Sequence, residues 1–91
     1  MTLDNNVVAF RSWLTLNRGI DAASADSYVD YCTRIERDLP TSLGKYLITE
    51  AGLQSVLVQI EMAIPNEKSQ NNLKTAAKAY AEFLQSARSA R

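Results

Sequence analysis

The chain has 91 residues, 46% of them apolar, with 10 basic and 10 acidic side chains and a formal net charge of zero. That length supports one modest hydrophobic core and not two, and that apolar content excludes a disordered chain. A single cysteine and the absence of histidine exclude an internal disulfide, a zinc cluster and a histidine-based nucleophile system, so carboxylates alone are left to hold any metal, magnesium being the candidate. Residues 1–91 are therefore expected to form a single helical domain, with no cofactor. Every apolar pattern is broken by charge before the roughly 20 residues a membrane helix needs, and the start MTLDNNVVAF lacks the basic, then apolar, layout of a secretion signal. A cytoplasmic protein without a membrane partner is expected.

The first helix is expected from about Asp4 or Asn5 to Asn17, with Leu3, Val7, Phe10, Trp13, Leu14 and Asn17 on its inward side. Arg18 suits the carbonyl end of that helix, and Gly19 can take the positive φ that closes it. Asp21 to Leu39 carries the clearest stripe, Tyr28, Tyr31, Cys32, Ile35 and Leu39, and is read as the element that the rest of the chain covers. Asp21 is its N-cap and Pro40 its stop. Cys32, inside the stripe, reads as a buried small hydrophobe rather than a nucleophile.

Leu43, Tyr46, Leu47 and Ile48 are expected to form a short turn or helical piece plugging one end of the core. The third helix should begin at Thr49 as cap, present Leu53, Val56, Leu57, Ile60 and Ile64, and stop at Pro65. VLVQI within it has strand propensity, but the three-four spacing continues on both sides and a lone strand would have no partner. Gly52 in its first turn is read as allowing a neighbouring helix to approach. The last helix follows Asn66 to Ser69 and runs to Ser86 or beyond, with Leu73, Ala76, Ala77, Tyr80, Phe83, Leu84 and Ala87 inward. Gln70, Asn71, Lys74, Thr75 and Lys78 are assigned to its outer face. The expected fold is all-α, a compact orthogonal or antiparallel bundle of four to five helices, the last lying against the first and second.

Three stretches, FRSWL, GIDAASADSY and NNLKTAAKAYAEFL, occur in an order that resembles the helical N-terminal core-binding domain of tyrosine recombinases and phage integrases, the SAM-like integrase domain. Gly19, Ile20, Asp21, Ser24 and Tyr28 match the start of that family's second helix, and Asn72, Leu73, Ala76, Tyr80, Phe83 and Leu84 resemble its closing helix. The resemblance runs from about Val7 to Leu84. It implies a non-catalytic DNA-binding module of DNA integration and recombination, holding one side of duplex DNA while a separate C-terminal domain of the same protein cleaves strands. Nothing in this chain corresponds to that second domain, so no catalytic residue is assigned and the tyrosines are read as structural.

If duplex DNA is the partner, the candidate backbone-contacting residues are Ser24 and Ser27 at the start of the second helix, and Gln70, Asn71, Lys74, Lys78, Arg88 and Arg91 on the last. Residues Lys68 to Arg91 carry Lys68, Lys74, Lys78, Arg88 and Arg91 against Glu82, a net of plus four, and a local basic excess steers toward phosphate. Asp26 to Asp38 holds four acids and two arginines, a net of minus two, which repels it. The alternative is a protein-protein interaction or adaptor domain of a multi-domain phage or defence protein. It would bind through the acidic side of the second helix, or through Val58 and Met62 beside Ile60 on the third.

Overall fold

The structure, a computed structural model, describes the backbone of residues 7–39 and 49–89, with side chains up to Ser86. The described residues form four helices, α1 (Val7–Asn17), α2 (Ala22–Asp38), α3 (Glu50–Ala63) and α4 (Glu67–Ser89), and no strand. The expected piece at residues 43–48, the caps at residues 4–6 and the inward Leu3 lie outside the described residues.

Local chemistry sets the boundaries. At Gly19 the chain takes φ 65°, which lets the Ile20 N–H return to the Leu14 carbonyl at 3.2 Å, the same carbonyl that accepts from Arg18. Asp21 is in extended backbone and its carboxylate accepts the Ser24 N–H at 2.7 Å. Thr49 does the same for Gly52 at 3.0 Å and Asn66 for Ser69 at 3.0 Å, so α2, α3 and α4 each begin at a side-chain cap. The α2 and α3 ends close through Leu39 N–H to Ile35 O and Ile64 N–H to Ile60 O, each at 3.0 Å. VLVQI lies wholly within α3: Val56 and Ile60 are buried in the core, and that burial outweighs the strand propensity of an unpaired segment.

α4 packs on α1, α2 and α3, so the Asp21–Leu39 stripe is not the sole surface around which the chain is arranged. Ala76, Ala77, Ala79, Tyr80 and Ala81 are all buried, so at this level α4 is enclosed on more than one side. Small side chains make that possible by letting neighbouring backbones approach. The stripe of α2 is narrower than its periodicity suggests: Cys32, Ile35 and Leu39 are buried with Ala25, whereas Tyr28 and Tyr31 are half-buried at the edge. Asn17 is exposed rather than inward.

Phe10 sits at the centre of an aromatic group joining α1 to α4. Its ring meets Tyr80 edge-on at 4.9 Å and 87°, and Phe83 at 5.4 Å. Trp13 lies at the border of this group, 5.9 Å from Phe83, with the Arg18 guanidinium 5.9 Å from its ring centroid. Phe10 is fully buried and Trp13 only partly. Phe10→Ala should therefore destabilise the domain by about 3–5 kcal/mol, and Trp13→Ala by less despite removing a larger side chain. Chemical denaturation of the two variants compares them directly, and a greater loss from Trp13→Ala would contradict this packing.

A Cβ built on Gly19 meets no atom within 4 Å. The cost of Gly19→Ala is accordingly conformational alone, about 1–2 kcal/mol from the left-handed backbone, and thermal melts should show a modest loss of stability with unchanged helix content.

Candidate interaction surface

Ser24 and Ser27 occupy the first turns of α2, exposed as a phosphate contact would need. The Ser24 N–H is already held by the Asp21 carboxylate, and the Ser27 hydroxyl donates back to the Ala23 carbonyl at 3.3 Å. The helix start thus carries its own anion.

On α4 the candidate residues divide. Gln70 is half-buried and its amide donates to the Ile64 and Glu61 carbonyls, closing the end of α3. Lys74 is half-buried and its ammonium pairs with Glu61 of α3. Both were expected on the outer face. Packing on three helices narrows that face and places them in the α3–α4 seam. Asn71 is exposed, its carbonyl accepting the Thr75 hydroxyl at 2.8 Å. Lys78 is exposed, one turn beyond Lys74, at an open groove also lined by Arg18, Glu50, Thr75, Glu82 and Gln85. Ser24 and Ser27 do not line that groove. The Arg88 side chain and Arg91 lie outside the described residues.

The other arginines are engaged as well. Arg11 pairs with Asp26 across α1 and α2, Arg18 with Glu82 across α1 and α4, and Arg34 and Arg37 both with Asp38. Pairs this exposed add little stability, typically under about 1 kcal/mol each. Their effect is to neutralise cations. Among the described residues Lys68 and Lys78 are the basic side chains outside ion pairs, against Asp21, Asp30, Glu36, Glu50 and Glu67 on the acidic side.

The sole thiol is inert in the folded state. Cys32 is fully buried and donates to the Ala76 carbonyl at 3.6 Å; burial, with the nearby Glu36 charge, pushes its pKa well above the ordinary thiol value. Among the described residues no group of three or more His, Cys, Asp or Glu could hold a metal ion, and no described helix is long and apolar enough to cross a membrane.

What stays exposed and apolar is Met62 at 82% and Val58 at 50% on α3, with Val8 at 78% and Leu16 at 83% on α1. The α3 pair was legible in the sequence as apolar residues beyond one stripe. Val8 and Leu16 were not; both lie between the α1 stripe positions, Val8 beside Val7 and Leu16 between Thr15 and Asn17. Met62 lines an open groove with Leu39, Gln59 and Ala63, of about 320 Å³, at the bottom of the range of small-molecule pockets.

No protein-family model, curated protein or solved structure matches the chain.

The Ser24 N–H holds the Asp21 carboxyl below its ordinary value near 3.8, and the Arg37 side chain does the same for Asp38. A depressed folded-state value means that each contributes stability above the ordinary pKa, lost as pH falls through the lower folded value. The melting temperature should therefore fall as the pH drops below about 4. Asp21→Asn, which keeps a capping oxygen but cannot titrate, should flatten part of that decline in a pH series of thermal melts.

Proposed function

We propose that this bundle is a non-catalytic interaction module that docks a partner protein through the outer side of α3. The observation that carries the reading is a contrast of surfaces. Most described cations are spent on ion pairs within the fold, while Met62 and Val58 present apolar side chains to water. Exposed aliphatic and methionine side chains beside a groove suit a protein surface, because burying them releases water without breaking an existing hydrogen bond. An adaptor role beside further domains fits this reading. Its test is a photo-activated cross-linking residue placed at Met62, with a second at Asp30 as control, in the native host. A discrete protein adduct from Met62 alone is the expected result, and equal labelling from both positions would count against an α3 surface.

The resemblance to integrase core-binding domains supports a second reading, contact with a DNA backbone, and one observation favours it: Lys78 is exposed, outside any described ion pair, in a segment with a net charge of plus four. Lysine suits phosphate as a mobile point charge rather than as a reader of bases. The informative substitution is Lys78→Glu alone, since Lys74→Glu would also set a carboxylate against Glu61. On the protein-docking reading, a duplex titration at low ionic strength shows no saturable binding. Salt-sensitive binding lost in Lys78→Glu would give preference to the DNA reading.

A further inference from the structure

We propose that the Met62 thioether is a reversible oxidation site of the folded chain, taking one oxygen atom from hydrogen peroxide while the Cys32 thiol stays reduced. The modification stands on exposure and packing. Its consequence, a surface less able to dock a protein, rests on the protein-docking reading above.

The chain has one cysteine and two methionines, Met1 and Met62. Cys32 and Met62 lie at opposite extremes of access. Cys32 is fully buried in α2 and donates to the Ala76 carbonyl, whereas Met62 is 82% exposed in the last turn of α3. Sulfur oxidation follows access, and for a thiol it also follows thiolate character, which burial suppresses at Cys32. A thioether has no proton to lose, so peroxide needs only an approach to its sulfur. The ordinary order of reaction, thiolate before thioether, is therefore reversed in this fold.

Helix geometry accounts for the exposure. Ile60 and Ile64 are buried two positions before and two positions after Met62, which turns the intervening side chain to the opposite face of α3. Met62 lines its open groove with Leu39, Gln59 and Ala63, and Val58 stands one turn earlier, half exposed. An oxygen added to this sulfur enters solvent and not the core. In the step, a sulfur lone pair attacks one peroxide oxygen, the O–O bond breaks, and the other oxygen leaves as water. Sulfur is oxidised by two electrons and peroxide is reduced by two. A dithiol-dependent methionine sulfoxide reductase reverses it, the sulfoxide oxygen leaving as water while two thiols become a disulfide. The sulfoxide is a polar acceptor, and burying it in an interface carries a desolvation cost that the thioether does not.

The test treats the full chain with hydrogen peroxide and follows each sulfur by peptide mapping, which separates Met62 from Met1. Met62 should gain one oxygen at about the rate of free N-acetylmethionine, with Cys32 still reduced and alkylated only after denaturation. The oxidised chain should keep its helix content and melt within about 4 °C of the parent. It should also be retained less by a phenyl column, and recover its retention after reduction by the two reductases specific for the sulfoxide epimers. Met62→Leu should remove the change in retention. An unmodified Met62, a rate more than about tenfold below that of the free amino acid, Cys32 oxidised first, or a collapsed melt overturns the proposal. Docking is read separately, from the adduct yield of a photo-activated residue at Val58 in chain oxidised before it is mixed with host extract. Oxidation should lower that yield about tenfold, through the forfeited burial of one methionine. Equal yield from oxidised and untreated chain overturns the consequence for docking. No adduct from either removes the docking reading itself, while peptide mapping still decides the modification.

Discussion

Phe10 is where the first helix meets the last, and the arrangement of the bundle depends on that meeting. Its fully buried ring fills the space between Tyr80 and Phe83 on α4, and such edge and tilted ring contacts fix orientation as well as remove area from water. With α1 held there, Leu14 and Ile20 reach the core, and the turn at Gly19 delivers Asp21 to cap α2. α2 then lays Cys32 and Ile35 against α4 through its alanines. The third helix joins from the other side, Val56 and Ile60 inward, with Gln70 and Lys74 closing the seam. One helix serving three neighbours suits a chain too short for a layered core.

The same economy governs charge. An ion pair spans the seam between α1 and α2, another that between α1 and α4, and another that between α3 and α4. Each adds little on its own, yet together they set which surfaces have charge left for a partner. The basic stretch Lys68 to Arg91 is, over its described residues, a helix whose Lys74 pairs with Glu61 and whose Glu82 pairs with Arg18. Pairing Lys74 with Glu61 cancels a positive charge and pairing Glu82 with Arg18 cancels a negative one, so the two pairs shift the positive field along the helix without changing its sum.

Much of the fold could be read from the residues. Phe10, Leu14, Ile35, Ile60, Tyr80 and Phe83 are in the core as their spacing requires, and Asp21, Thr49, Gly19 and Pro65 stand at helix ends as their chemistry requires. Periodicity is a property of one helix, so it could not say how many neighbours that helix has. For that reason the stripe of α2 looked dominant while α4, whose alanines at positions 79 and 81 lie off its main stripe, packs on three neighbours. The surface was less legible. Gln70 and Lys74 sit at polar positions of a helical wheel, and only the approach of α3 turns them inward, whereas the exposed methionine and valine of α3 were visible as apolar residues in excess of one stripe.

Two residues that occur once in the chain mark two of the three seams of α4. Trp13 borders α1 against Phe83, with the Arg18 guanidinium near its ring, and Cys32 holds α2 to the Ala76 carbonyl. Indole emission thus reports separation of the first helix, and thiol labelling reports opening along the second. The native sequence therefore carries two independent clocks on how the bundle comes apart, with no introduced probe.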